Sequence, residues 1–317
     1  MKLLKLVPEN TNIDFMKWRT VAIVGSIVLS LAAMVLVGVR GLNLGVDFVG
    51  GQMIRTTFAQ PVNVEQLRGD VGRLRLGDAS IQEFGGPTSY QIRLPMPPGG
   101  DEAANVAAQQ VRAMLEQNYP GARIDAVETV SGKVSEELAF SGAMAIALAM
   151  LAIAIYIWFR FEWQFGVGAL LTLFHDVTMT LGFFSLTQLQ FDLNVVAAFL
   201  TIIGYSLNDT VVIYDRIREN LRKYRKMGIV PLINLSLNET LARTVATSVT
   251  LLLALAALLL IGPEVIFGLT IAITLGIIIG TYSSIYISAP VLVWFGVKPD
   301  SFLRFEEGDA PPRPQEG

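Results

Sequence analysis

The chain alternates between long runs without charge and short, strongly charged segments. Residues 20–39, 138–159, 244–263 and 265–297 contain no Asp, Glu, Lys or Arg. Residues 163–191 are interrupted only by His175 and Asp176, and 193–214 only by Asp209. A helix needs about 20 mostly apolar residues to cross a bilayer. The pattern therefore predicts six membrane-spanning helices, near 20–39, 137–159, 164–187, 193–215, 241–262 and 266–295. The first is too long for a signal peptide, follows a 19-residue tail and ends in MVLVGVR with no small-x-small site.

Between the first two spans the period changes from helical to mixed. GLNLGVDFVGG (41–51) is rich in glycine, and 52–58 alternates as a strand does. Residues 62–74 read as a helix, 79–85 and 89–95 as strands, 101–118 as a longer helix and 123–130 as a strand. The order β-α-β-β-α-β predicts a small α+β, ferredoxin-like domain. The expected organisation is a cytoplasmic tail (1–19), a first span (20–40), an external domain (41–136), spans two to six (137–296) and a disordered cytoplasmic tail (297–317). The fold class is thus an α-helical polytopic membrane protein with one small external domain.

Positive charge sets the orientation. Lys2, Lys5, Lys17 and Arg19 precede span one, and Arg160 sits in the 2–3 turn. Arg216, Arg218, Arg222, Lys223, Arg225 and Lys226 fill the 4–5 loop, and Lys298, Arg304 and Arg313 the C-terminal tail. The 3–4 and 5–6 connections carry no lysine or arginine. Both termini are therefore expected on the cytoplasmic side. The basic 4–5 loop reads as a topology determinant that faces lipid headgroups, or else as a docking surface for cytoplasmic components.

Composition narrows the chemistry. Of 317 residues, 52% are hydrophobic and 16% charged, against roughly 25% charged in soluble domains. The net charge of −3 provides no basic face for nucleic acid. With no cysteine and one histidine, thiolate chemistry and histidine-rich metal sites are excluded, and no metal or organic cofactor is expected. No nucleotide, metalloprotease or nucleophile-elbow motif is present, since GYSLN (204–208) lies inside a span. An enzyme is not expected.

Ionisable groups inside a span cost about 2.5–3.5 kcal/mol each, so each is a functional candidate. On span four, Asn194, Thr201, Tyr205, Asn208 and Asp209 share one face of a helical wheel. On span five, Thr240, Arg243, Thr244, Thr247 and Ser248 form a second stripe. Asp209 nears the inner end of one helix and Arg243 opens the next, which makes them ion-pair candidates. Snorkelling of Arg243 and a structural hydrogen bond of Asp209 are the plainer alternatives. His175 and Asp176, deep in span three, are either a second proton site or a satisfied His-to-Asp pair across helices. Gly268, Ala272, Gly276, Gly280, Ser284 and Ser288 recur every four residues on span six, a face for close helix packing inside the chain or against a partner. Gly50 and Gly51 serve backbone geometry where span one meets the outer domain. Asp47 beside them is either a turn acceptor or an interface acid.

Six blocks carry a resemblance. GLNLGVDFVGG (41–51), FRFEWQFG (159–166), FHDV (174–177), GYSLNDTVVIYDRIREN (204–220), LNETLARTVATSVT (237–250) and GIIIGTYSSIYISAP (276–290) resemble, in order and spacing, the SecD/SecF family of bacterial protein-export membrane subunits. That family belongs to the resistance-nodulation-division (RND) transporter superfamily. Tyr214 departs from it, standing where phenylalanine is usual, and 52–136 matches by layout more than by residues. The resemblance implies a subunit of the bacterial cytoplasmic membrane that pairs with SecD beside the SecYEG channel and its motor SecA. It leaves YajC and YidC as further candidate partners and implies unfolded preprotein as the substrate. It implies use of the proton motive force late in translocation, with H⁺ as coupling ion and Na⁺ as the alternative. Asp209 and Arg243 occupy the family's proton-pathway positions, with Gly204 one turn before Asn208 and Asp209 as in RND transporters. Rival readings are a half-transporter of the same superfamily exporting small molecules, and a passive membrane scaffold.

Overall fold

A computed structural model describes Pro8 and residues 11–297, Gly85 excepted. The basic residues at 2 and 5 and residues 298–317 of the tail expected to be disordered lie outside the described residues, while Val297 is buried against the bundle. A single 3₁₀ turn, Phe15–Trp18, leads into α1 (Arg19–Arg40), and one helical turn, α2 (Val46–Val49), leads into the external domain. That domain comprises β1 (Gly51–Thr57), α3 (Val64–Arg73), β2 (Ser80–Glu83), β3 (Ser89–Leu94), α4 (Gly100–Asn118) and β4 (Arg123–Val130). Helices α5 (Gly132–Arg160), α6 (Trp163–Thr187), α7 (Leu193–Lys223), α8 (Ile229–Ile261) and α9 (Phe267–Ser283) follow. A π-helical turn at Ser284–Ser288 continues α9 into α10 (Ala289–Trp294). Six of these helical stretches are long and apolar enough to cross a membrane.

The external sheet has the order β2-β3-β1-β4, every neighbouring pair antiparallel. That is the split β-α-β arrangement expected from the element order. Period-two alternation places Ile54, Ile92 and Leu94 on one face, packed on Leu67 of α3 and Val111 and Leu115 of α4. The opposite face carries polar side chains and rests on the outer loops. Asn43 Nδ2 donates to Gln82 Oε1 (3.1 Å), Arg93 donates to the Leu44 carbonyl, and Leu44 forms a parallel bridge with Phe191.

The glycine corner between α2 and β1 has a definite geometric reason. Gly50 and Gly51 have φ of +72° and +114°. A Cβ on Gly50 would lie 3.2 Å from Gly132 Cα, where α5 crosses, and one on Gly51 would strike the Leu94 carbonyl oxygen. Left-handed backbone and close approach both exclude a side chain here.

Several helix ends differ from expectation. α5 starts at Gly132, capped by Ser131 Oγ accepting from Val134 N–H (3.4 Å), so the external domain ends about five residues before 136. α7 runs to Lys223 and α8 starts at Ile229, so most of the expected basic 4–5 loop is helix. Both extensions are held by polar ties: Arg216 Nε to Glu239 Oε2 (2.7 Å) and Asn220 Nδ2 to Ser236 Oγ (3.0 Å). The α8 extension also binds the N-terminal segment through Asn234 and Asn238. Charge marks the edge of the bilayer, not the end of the helix.

The small-residue face of span six packs inside the chain. A Cβ on Gly276 would collide with Ile202, and one on Gly280 would lie 3.2 Å from Ser206 Cβ, so α9 lies close along α7. The chain's four tryptophans, Trp18, Trp158, Trp163 and Trp294, are each at least half exposed. All sit at the bundle end opposite the external domain, as anchors at one membrane interface do.

Gly51→Ala introduces a φ penalty and a backbone collision, together worth about 2–3 kcal/mol. The expected result is loss of protease resistance in the external domain with the helical content kept; unchanged resistance would contradict the geometry.

Candidate functional site

The site is organised around α7, which meets α6 and α9 on one side and α8 on another. Asp209 is 7% exposed. Its Oδ1 accepts a hydrogen bond from Thr244 Oγ1 (2.6 Å), while Oδ2 is buried without a hydrogen-bond partner among the described residues. Thr244 belongs to a ladder along α8 in which Thr240, Thr244 and Ser248, spaced by four, are all buried. Ser248 Oγ meets Tyr205 Oη (2.9 Å) and Thr281 Oγ1 (2.9 Å), tying α8 to α7 and α9.

The expected Asp209–Arg243 ion pair is not formed. Among the described residues Arg243 has no carboxylate within salt-bridge distance, and its side chain is exposed. The depth expectation holds, because the neighbouring residue Thr244 reaches Asp209. The azimuth differs: one residue along a helix is a rotation of about 100°, which turns Arg243 out while Thr244 turns in. Thr247, one turn on from Arg243, is exposed with it, its hydroxyl returned to the Arg243 carbonyl (3.0 Å).

The single stripe expected on span four is likewise two faces. Ser206, Asp209 and Thr210 are buried, Tyr205 is half-buried, and Asn194, Thr201, Gly204 and Asn208 are exposed. The exposed sides of α7 and α8 thus present Asn194, Thr201, Asn208, Arg243 and Thr247 to whatever lies beside this chain.

Across α7 lies the second cluster. Asp176 (1% exposed) accepts from Ser206 Oγ of α7 (2.5 Å) and Ser283 Oγ of α9 (3.0 Å), and its Oδ1 lies 3.0 Å from His175 Nδ1. The histidine–aspartate contact is within α6, whereas the expectation placed it between helices; the interhelical partners are serines. Thr210 and Ser284 hydroxyls meet at 3.1 Å in the next layer. Tyr214 is fully buried and donates to the Ser288 carbonyl (3.3 Å) in the π turn, an interaction that phenylalanine could not make. Gly168 leaves room for that hydroxyl.

At the external end Asp47 is an interface acid: its Oδ2 accepts from the Leu193 N–H (2.9 Å), capping α7 from 146 residues away. Asp192 caps the same helix through Val195 N–H (3.1 Å). Burial, with the nearby Asp47 carboxylate adding to it, holds the Asp192 carboxyl above its ordinary range. The mouth of α7 is therefore welded to the glycine corner that starts the external sheet. Ser206, Ser283 and Asp192 are site residues that the sequence does not single out, and Thr244 stands there only as one member of a stripe; their hydroxyl and capping chemistry is visible, their partners are not. No group of three or more potential metal-ligating His, Asp or Glu side chains occurs among the described residues.

Comparison with known proteins places this geometry in context. The family model "Protein export membrane protein SecD/SecF, C-terminal" matches residues 110–298, and "SecD/SecF GG Motif" matches 35–62. "Protein translocase subunit SecF" of Rickettsia rickettsii is 45% identical over 92% of this chain and 94% of its own length. The Rickettsia prowazekii protein of the same description is 44% identical over the same shares. Among solved structures, SecDF from Thermus thermophilus, described as a translocon-associated membrane protein, superposes with a TM-score of 0.84 at 34% identity over 92% of this chain. SecDF in its Super-membrane-facing form gives 0.67 at 35% identity over 95%. This chain spans 40% of the length of each of those SecDF chains.

Asp47→Ala removes a cap worth about 1 kcal/mol and should speed hydrogen exchange at the Leu193 amide about fivefold, with Asp47→Asn close to wild type. In the fold Asp192 binds its proton more readily than in the unfolded chain, so its contribution to stability declines as pH rises through that window. Asp192→Asn, which keeps a cap, should therefore make the change of melting temperature with rising pH less negative, or more positive, just above the ordinary aspartate range. A steeper fall would contradict the assignment.

Proposed function

The chain belongs to the SecD/SecF family of protein-export membrane proteins, and we propose that it is one half of a proton-driven device that helps draw preproteins across the bacterial cytoplasmic membrane. The observation that carries this reading is Asp209: a carboxyl buried in a membrane helix with one oxygen held and the other unpartnered. Such an oxygen is where a proton resides at least cost, since an ionised carboxylate there lacks the donors it needs.

The proton step follows from the neighbouring helix. With the Thr244 hydroxyl facing Asp209, the carboxyl has one donor and no counter-charge. A turn of α8, or a swing of the Arg243 side chain, puts a guanidinium in place of a hydroxyl and favours the ionised form. Alternation between the two takes up a proton from one side and releases it to the other. One charge crossing about 150 mV is worth about 3.5 kcal/mol. That biases a two-state equilibrium by a few hundredfold, enough to drive a rocking motion in steps. α7 carries that motion outward through its Asp47-capped end to the external domain, which acts on the emerging unfolded chain. Na⁺ in place of H⁺ would bind the same carboxylate.

The exposed polar face of α7 and α8 supports SecD as the covering partner. Arginine and asparagine are costly against lipid, and six spans make half of a pseudo-symmetric transporter. The remainder of the solved SecDF chains, beyond the share this chain spans, is where that second half would come from. SecYEG, SecA, YajC and YidC are the expected neighbours, both termini are cytoplasmic, and no enzymatic step or cofactor is involved.

Inverted vesicles holding the channel, SecD and this chain separate the force-driven part of translocation from the ATP-driven part. Asp209→Asn should lower the force-driven part at least tenfold and leave the remainder, with assembly intact. Full retention of the force dependence would overturn the proposal.

A further inference from the structure

The α6 cluster holds a buried titratable pair that the Asp209 route does not use. We propose that His175 and Asp176 form a second proton-binding centre, whose occupancy sets how tightly α6 grips α7 and α9. The case rests on counting hydrogens. Asp176 Oδ2 receives the Ser206 hydroxyl at 2.5 Å and lies 3.0 Å from Ser283 Oγ. Ser283 Oγ also lies 3.1 Å from the Gly280 carbonyl on its own helix. Ser283 has one hydrogen and two acceptors in reach. When Asp176 is ionised, that hydrogen goes to the carboxylate. When Asp176 carries a proton on Oδ2, its O–H donates to Ser283 Oγ and the serine hydrogen turns back to Gly280. The cluster accommodates the added proton by rotating one hydroxyl, with every bond still made.

The histidine supplies the second place for the same proton. Its Nδ1 is 3.0 Å from Asp176 Oδ1, and the residue is 6% exposed. The centre with an ionised carboxylate and a neutral ring has a net charge of −1; one proton, on the ring or the carboxyl, brings it to zero. Buried charge without a counter-ion is costly, which makes the loaded form accessible. Among the described residues, the groups meeting the pair are Ser206 from α7 and Ser283 and the Tyr282 ring from α9, the last with its centroid 6.3 Å from that of His175. Neither these helices nor the charge-free runs 20–39 of α1 and 138–159 of α5, which also pack on α6, add a lysine, arginine or second carboxylate to the contact set. Asp209 on α7 bonds in the opposite direction, to Thr244.

The consequence is mechanical. Hydrogen bonds to an ionised acceptor are about twice as strong as neutral ones. A proton on the carboxyl therefore exchanges two strong ties, α6 to α7 and α6 to α9, for weaker ones, whereas a proton on the ring leaves the carboxylate ionised and both ties strong. Ser206 lies three residues before Asp209, so both carboxyls hold the same turn of α7 from different sides. The π turn begins directly after Ser283, and such turns concentrate where helices shift register.

One histidine in the chain makes the test direct. The full chain, labelled with ¹⁵N-histidine and carrying no polyhistidine tag, is reconstituted with unlabelled SecD. The ring nitrogens, whose shifts report a proton on either member of the pair, are followed from about pH 5 to about pH 9. A single pH-dependent step in them, retained in Asp209→Asn and lost in Asp176→Asn, is the expected result. No step in the wild type, or a step that survives in Asp176→Asn, would overturn the proposal. If Asp176→Asn does not assemble, Ser283→Ala takes its place. It removes a donor and no titratable group, and should move the midpoint by about one pH unit; an unmoved midpoint would overturn the centre. Because the readout is the proton and not translocation, failure here is distinguishable from failure of the Asp209 route.

Discussion

A carboxyl group in the dry interior of a membrane bundle has to find its donors within reach of its own side chain. This chain has two such carboxyls among the described residues: Asp176, which draws a donor from α7, and Asp209 on α7 itself, with one oxygen held by Thr244 of α8 and the other unpartnered. The rest of the arrangement depends on that. Ser206 and Ser283 draw α7 and α9 onto α6, and Gly280 permits the approach because a larger residue would displace Ser206. Thr244 draws α8 onto the other side. The helix that passes between them is held by hydroxyl hydrogen bonds rather than by ion pairs, which leaves it able to exchange partners at modest energy.

The ends of α7 translate this into a link between bilayer and external domain. Its inner end continues past the membrane edge and is clamped to α8 by Arg216, Glu239 and Asn220. Its outer end is capped by Asp47, in the loop that turns through two left-handed glycines into β1. α7 is thus joined to the sheet without a flexible linker. The polar underside of that sheet, seated on residues 43–44 and on Gln190, offers hydrogen-bonding groups that can exchange as it moves.

Much of this was legible before any coordinates. Charge-free runs mark spans because the bilayer penalises charge directly, and strand order followed from the β-α-β-β-α-β sequence. What the pattern could not resolve was azimuth. Asp209 and Arg243 match in depth, yet the inward residue is Thr244, since hydropathy does not report which way a helix is turned. Span six shows the same limit: a period of four runs from Gly268 to Ser288, but the π turn at Ser284–Ser288 alters the face after Ser283. The cap from Asp47 to Leu193 was out of reach because nothing local to either residue names its partner. The extensions of α7 and α8 at the end opposite the external domain read as loop in the sequence because their charges mask a helical period.

On the proposed reading, the outward polar face of α7 and α8 is covered by a partner protein and not by lipid. The chain lacks cysteine, so single substitutions report without background from this subunit. Thr201→Cys and Asn208→Cys, compared with Leu253→Cys on a 68% exposed apolar position, would each carry a photoactivatable cross-linker in native membranes. The account predicts cross-links to SecD from 201 and 208 and to lipid alone from 253. Lipid adducts alone from all three positions, with SecD present and assembled, would contradict it.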